Sequence, residues 1–322
     1  MKNRSDLQPK NLRRVIYRTL VGAAKLPLRI GFPGRWKFIA AFINHPRFSQ
    51  YWSNEPLRWI RGKVHGYWIP CDLTVFSGRS AYFMRRWYEA DTQSVLTTLL
   101  KPGDTFLDIG ANVGMASLAG AKAVGSFGRV IAFEPNPHVT AILAESVARN
   151  CLSNITVHCA AFGRRAGRLP LFIPANNHGE ASLGTDFGNR AGETVVVDLV
   201  GPESLTGVCR CDMIKIDVEG FEVEVLDGLR DVIQRFRPFV VTEVAPHHLA
   251  RCGSSVDGLF ERFVELDYAG FAYREAQLGS FKLQAVLKRV RRPAELDGPN
   301  MLWVPVDKVG AIVSTNFLGV SR

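Results

Sequence analysis

Four acids lie at or beside the ends of apolar runs in this chain: Asp108, Glu134, Asp217 and Glu243. Packing alone does not call for carboxylates there, so together they argue for one shared crevice. Asp108 leads into Gly110-Ala111-Asn112-Val113-Gly114, a turn with two glycines four apart, and then into a small-residue helix from Met115 to Val124. Glycine permits positive φ and close approach of another molecule, and a helix starting at such a turn offers N–H groups to a ligand. A second apolar run over 129–133 follows and ends on Glu134. Strand, glycine turn, helix, strand, acid is the half-fold that binds an adenosine-containing cofactor, the acid taking the ribose hydroxyls.

Details of the turn select among cofactors. The dinucleotide fingerprint spaces its first two glycines two apart, whereas here Asn112 occupies the second glycine's place. No lysine follows, which excludes a P-loop. An acid at the strand end, Asp108, suits a cofactor carrying a cationic amino group rather than two phosphates. S-adenosylmethionine fits that description and NAD fits it poorly.

The acceptor side needs a base or an orienting group, because an alcohol is a poor nucleophile until its proton is taken. Asp217 and Glu219 are candidates to orient or deprotonate an acceptor hydroxyl, or to hold a metal as a pair; the alternative for Glu219 is to cap the following helix. Lys215 sits mid-strand between Ile214 and Ile216. It is either an amine in the pocket or the partner of an acid on a neighbouring strand, since a buried ammonium needs one. Glu243 is either an acceptor-side acid or that partner. His247 and His248 have a suitable unperturbed pKa for a base, although a surface loop is the commoner place for a histidine. Six cysteines form no C-x-x-C pair and seven histidines no H-E-x-x-H cluster, so neither motif indicates a metal.

Alternating strands and helices must position these groups. Helices are expected over 115–124, 137–150, 221–229 and 256–266, and strands over 106–108, 129–134, 154–160, 213–217 and 238–244. Apolar runs at 169–173 and 194–199 are expected to pair as a hairpin, and the last apolar runs are 283–287 and 301–304. The pattern predicts a doubly wound α/β sheet with ligands at the carboxyl ends of its strands.

Several segments resemble the FkbM family of S-adenosylmethionine-dependent methyltransferases. They are the stretch from Met213-Ile-Lys-Ile-Asp-Val-Glu-Gly-Phe-Glu to Gly228, Asp108-Ile-Gly-Ala-Asn-Val-Gly114, Phe133-Glu-Pro-Asn-Pro137 and Trp87-Tyr88-Glu89. The resemblance spans roughly residues 65–305. It implies a class I methyltransferase (Rossmann-like) fold of about seven strands with the last antiparallel, and methyl transfer to an oxygen, commonly a hydroxyl of a sugar or a polyketide-type product. It also implies cofactor contacts along its motifs, at Asp108, Gly110, Asn112, Gly114, Glu134, Pro135, Asn136 and Glu89. Tyr88-Glu89 is placed to close over the cofactor, and the loop 176–182 resembles a family segment able to cover the acceptor. The family's Leu-Asp pair before the hallmark strand is matched only by Val197-Asp198, and Asp198 receives no role.

Charge divides the chain. Residues 1–64 hold 14 Lys and Arg against Asp6 and Glu55, so the remainder is close to neutral within a total of 40 basic and 30 acidic residues. That leaves no basic surface for nucleic acid on the catalytic part. Two domains are expected: a basic helical extension over 1–64 and a methyltransferase domain over 65–322. In the extension Leu12, Val15, Ile16, Leu20 and Ala23 recur at helical spacing. This is either a cationic amphipathic helix for an anionic membrane or partner, or a solvated cap. No run reaches the ~20 apolar residues of a membrane span, and no cleavable leader is evident. The expected protein is reduced and cytoplasmic, peripheral to the inner membrane face if the arm engages it. It acts on a small-molecule or glycan acceptor. A non-catalytic scaffold that keeps the fold is the competing class, and intact cofactor residues count against it. Oligomeric state is left open by the composition.

Overall fold

Runs that are apolar on successive residues suit strands covered on both faces rather than on one. In the computed structural model, which describes residues 9–23, 28, 35–52, 55–86, 89–175, 178–184, 190–275, 285–313 and 320–321, such runs form the centre of a mixed sheet. The chain divides into two compact units, Met1–Tyr88 with Gly279–Phe281, and Glu89–Leu278 with Lys282–Arg322.

In the first unit, α1 (Pro9–Ala23) buries Val21 and leaves Val15, Ile16 and Leu20 exposed. Helical segments Arg35–Phe38 and Ile39–Ile43 follow, the second with the wider π pitch, and then Pro46–Ser49. The Tyr17 ring of α1 lies 4.7 Å from Phe48 and 5.1 Å from Tyr51, centroid to centroid. A hairpin of β1 (Arg58–Arg61) and β2 (Trp68–Cys71) precedes α2 (Phe76–Met84). Arg79 of α2 is only 4% exposed, and its guanidinium donates to Asn44 Oδ1, Leu73 O and Thr74 O. Those acceptors make the buried charge tolerable.

The second unit opens with α3 (Ala90–Leu99). Then come β3 (Thr105–Ile109), α4 (Met115–Val124), β4 (Arg129–Phe133), α5 (Pro137–Arg149) and β5 (Ile155–His158). A separate three-stranded sheet, β6 (Ala161–Phe162), β7 (Gly167–Pro174) and β8 (Gly192–Val200), contains the expected hairpin as β7–β8. The chain returns to the main sheet through β9 (Met213–Ile216), α6 (Glu222–Gly228), α7 (Arg230–Phe236) and β10 (Phe239–Glu243). It finishes with α8 (Pro246–Arg251), α9 (Val256–Glu265), β11 (Tyr268–Glu275), β12 (Ala285–Val290), β13 (Asn300–Pro305) and β14 (Val320–Ser321).

The main sheet has nine strands in the order β14-β12-β11-β13-β10-β9-β3-β4-β5. Within it β5-β4-β3-β9-β10-β13-β11 is the expected seven-stranded arrangement, with β13 antiparallel between β10 and β11. The edge strands β12 and β14 extend it beyond the expected seven. Strand order reverses between β3 and β9. At such a point the flanking loops part and leave a crevice at the carboxyl ends of the strands.

Trp303 of β13, 1% exposed, stacks on Phe263 of α9 at 4.0 Å and meets Phe260 edge-on at 4.8 Å. Its indole N–H donates to Thr242 Oγ1 at 2.9 Å, so the buried polar atom of this large anchor is satisfied. Ser255 caps α9 by accepting from Gly258 N. Leu259, Phe260 and Phe263 recur on the buried face of that helix, which is amphipathic.

Candidate active site

The donor half of the site is built around Glu134, immediately after β4. It is 7% exposed, and each carboxylate oxygen accepts one backbone N–H: Oε2 from Asn112 and Oε1 from Asn136, both at 2.9 Å. Burial pushes its pKa up to about 7 against the pull of those two hydrogen bonds. Pro135 separates the acid from Asn136, whose side chain caps α5 by accepting from His138 N. The Nδ2 of Asn136 is buried and has no hydrogen-bond partner.

The turn itself behaves differently from the expectation that it offers its N–H groups to a ligand. Gly110 N and Ala111 N both donate to Phe133 O, Asn112 N to Glu134, Val113 N to the Asn112 side chain and Gly114 N to Ala111 O. Five successive donors are committed within the protein, which leaves no phosphate cradle in the turn. Gly110 has φ +78°, and a Cβ there would stand 1.8 Å from Asp217 O. Glycine is required at 110 because another strand's backbone, rather than a ligand, comes this close.

These residues fit S-adenosylmethionine. The cofactor carries no phosphate, so donors committed elsewhere cost it nothing. A carboxylate has about four acceptor sites, so Glu134 keeps capacity for a pair of adjacent ribose hydroxyls, with an unpartnered amide donor on Asn136 close by in sequence.

At the switch point Asp108 and Lys215 stand opposite each other in the β3–β9 register. Asp108 is fully buried; Ser117 Oγ donates to its Oδ2 at 2.5 Å, and Lys215 Nζ lies 3.7 Å from Oδ1. Burial raises its pKa, opposed by Lys215 and Ser117. The sequence reading set this acid beside the cofactor's amino group. In the structure Asp108 has no exposed surface, and its carboxylate is engaged by Ser117 and Lys215. Lys215 also reaches Asp217 Oδ2 at 3.0 Å and donates to Gly110 O at 3.2 Å. Burial alone would lower its pKa, and the Asp217 and Asp108 charges outweigh it, so the ammonium is held charged. Its partners are therefore Asp108 and Asp217, and not Glu243 as one reading allowed.

The crevice beside this network is lined by Glu89, Thr92, Lys215, Asp217, Glu243, Tyr273 and Asn300, among others. Glu89 comes from the segment before α3; Trp87 and Tyr88 lie outside the described residues. Glu243 is driven up to about 9 by burial and by the charges of Asp217, Glu219 and Glu89. Glu219 is driven up to about 8 by burial and Asp217. Glu219 does not cap the following helix, whose N-cap Phe221 has no side-chain cap; Glu222 Oε1 instead accepts from Val218 N and Gly220 N in the preceding loop, at 3.2 Å each. Glu219, at φ +55°, turns away from the helix, and its Oε2 lies 2.7 Å from His248 Nδ1. His247 is exposed, and its ring meets that of His248 edge-on at 4.0 Å.

The expected covering loop is described only in part: residues 176–177 lie outside the described residues. Ser182 beyond them is 1% exposed and donates its hydroxyl to Glu219 O at 2.8 Å. Asp198 lies in β8 and pairs on the surface with Arg168. Sequence reasoning passed over Thr92, Tyr273 and Asn300. Thr92 and Tyr273 share a hydrogen bond at 3.1 Å, and Asn300 donates to Asp91; no local motif marks any of the three.

Residues 108–272 match the family model of the methyltransferase FkbM domain. The chain is 30% identical over 160 residues to the methyltransferase sdnD of Sordaria araneosa, covering 40% of this chain and 61% of that protein. It is 29% identical over 160 residues to the hexuronic acid methyltransferase AglP of Haloferax volcanii, covering 48% of this chain and 62% of that one. The chain thus spans about three fifths of the length of these curated relatives. A solved methyltransferase FkbM from Methylobacillus flagellatus is similar at 16% identity and a TM-score of 0.41, covering 72% of this chain and 54% of that one. The family match takes in half of the chain and runs from Asp108 through the Glu134, Asp217 and Glu243 strand ends: the chain belongs to the FkbM family of S-adenosylmethionine-dependent methyltransferases.

Proposed function

We propose that this chain transfers a methyl group from S-adenosylmethionine to a hydroxyl oxygen of a sugar, in a glycan or glycolipid. The observation that carries the reading is a crevice lined by Glu89, Asp217 and Glu243, at the same carboxyl edge of the sheet as Glu134. When bound, S-adenosylmethionine supplies an electrophilic methyl; the protein supplies alignment. Glu134 holds the ribose hydroxyls, and Asn112 and Asn136 fix Glu134 through their backbone N–H groups. Glu89 accepts hydrogen bonds from acceptor hydroxyls, which a sugar presents in number. Asp217, 29% exposed and steadied by Lys215, is assigned the proton of the attacked hydroxyl. A curated relative named for hexuronic acid supports a sugar acceptor.

Titration calorimetry with S-adenosylmethionine and with NAD, on the wild type and on Glu134→Ala, tests the donor side. Labelled-methyl transfer to uronic acids and neutral glycans tests the acceptor. Asp217→Asn should retain cofactor binding and lose ~10²–10⁴ in rate. A folded protein that binds no S-adenosylmethionine would overturn the reading.

A second proposal concerns residues 1–64. Val15, Ile16, Leu20 and Phe42 are exposed in a segment rich in Lys and Arg, a composition suited to an anionic membrane surface. Among the described residues no helix is long and apolar enough to cross a membrane. Co-sedimentation with anionic vesicles at low salt, lost when residues 1–64 are deleted, is the expected outcome; no sedimentation of the full chain rejects it.

A further inference from the structure

We propose that Glu219, Glu243 and His248 form a binding site for one divalent first-row cation of the Mn²⁺ or Zn²⁺ type. One donor atom from each of the three lies within 4.8 Å of the other two. They come from three segments: the loop after β9, the end of β10 and helix α8. Separations of 24 and 5 residues along the chain hide this cluster from any spacing motif.

The His248–Glu219 contact is the second observation. Nδ1 lies 2.7 Å from Glu219 Oε2, yet Nδ1 is buried and makes no hydrogen bond. The two atoms are near without being aligned on each other, as donors converging on a third centre would be. Other contacts hold them there. Ser182 Oγ bonds Glu219 O, and Gly220 lies so close that a Cβ would stand 2.2 Å from His248 O. Glu222 fixes the same loop by accepting from Val218 N and Gly220 N.

Charge points the same way. Asp217, Glu222 and Glu89 all add negative potential at Glu243, while Lys215 is already engaged by Asp108 and Asp217. A dication would offset the negative potential that these carboxylates create. One imidazole with two carboxylates favours a transition ion over Mg²⁺, which prefers oxygen ligands and retains water. Any use of the ion in catalysis rests on the methyl-transfer reading; its binding does not.

The test titrates metal-free full-length protein with Mn²⁺, following the free ion by electron paramagnetic resonance. Expected is one ion per chain, with affinity falling by about tenfold or more in Glu243→Gln and in His248→Ala, and unchanged in Asp198→Asn on the distant surface of β8. Circular dichroism checks that each variant folds. If one does not, paramagnetic broadening of the His248 ring signals in the unaltered chain decides. Absence of saturable binding, wild-type affinity in both variants, or unbroadened His248 signals would overturn the site. S-adenosylmethionine titrated into the same samples keeps the questions apart: its failure to bind would sink the methyl-transfer reading and leave the Mn²⁺ result standing.

Discussion

Asp108 and Lys215 occupy facing positions on β3 and β9, the two strands between which the sheet's order reverses. One is fully buried and the other 6% exposed. Removing one partner of such a pair leaves an uncompensated buried charge, which typically costs ~3–5 kcal/mol. Lys215→Met should therefore lower unfolding free energy by about that amount. Asp108→Asn with Lys215→Met should lose less than the two single changes summed. Urea denaturation of the four proteins checks it, and additive losses would show that the pair is not coupled.

Gly110→Ala should be more damaging than its size suggests. A left-handed φ costs a non-glycine residue ~1–2 kcal/mol, and the new methyl would meet the Asp217 carbonyl. Thermal melting should show a drop of at least several degrees, together with weakened cofactor binding because the turn carries Asn112 N to Glu134. Gly103→Ala, where φ is also positive but nothing lies within 4 Å of a Cβ, is the control for φ alone.

Glu222 makes stability depend on pH. It is 3% exposed, and burial lifts its pKa from 4.5 to about 7 against the backbone N–H groups that it accepts. A carboxyl with a raised folded-state pKa stabilises fully below its unfolded value and loses that contribution as pH rises through the folded value. The loss should run between about pH 4.5 and 7 and be on the order of 3 kcal/mol. Glu222→Gln should flatten the melting temperature across that window relative to wild type; parallel curves would refute the assignment.

Glu134, at about 7, ties cofactor affinity to pH. If the ionised carboxylate receives the ribose hydroxyls, binding must remove its proton below that value. S-adenosylmethionine affinity should then be about tenfold weaker at pH 6 than at pH 8. Glu134→Gln should bind more weakly throughout and show no such slope. Calorimetry at both pH values decides.

The parallel core was legible because β3, β4, β9 and β10 are mainly apolar, broken in β3 by Asp108 and in β9 by Lys215, and because Glu134, Asp217 and Glu243 mark strand ends. β11 was not. Tyr268-Ala-Gly-Phe-Ala-Tyr alternates aromatic with small residues, and the glycine in its middle weakens the strand signal; Gly270 is there because Met301 and Trp303 leave no room for a Cβ. Tertiary packing chose that residue, and no local pattern reports it. The same holds within the site. Glu134 follows from its place after a strand, whereas the inward orientation of Asp108 depends on Ser117 and Lys215, neither of which spacing identifies as a partner. His248 acquires its position only once α8 folds back against Gly220.

Ser182 ties the β7–β8 connection to Glu219 through one hydroxyl, while β6, β7 and β8 pair only with one another, apart from the nine-stranded sheet. That connection is in effect a cassette. Residues 178–181 can be replaced or recharged without breaking a rung of the main sheet. If this connection covers the acceptor, as the family resemblance implies, exchanging residues 178–181 should alter acceptor preference and leave S-adenosylmethionine affinity unchanged.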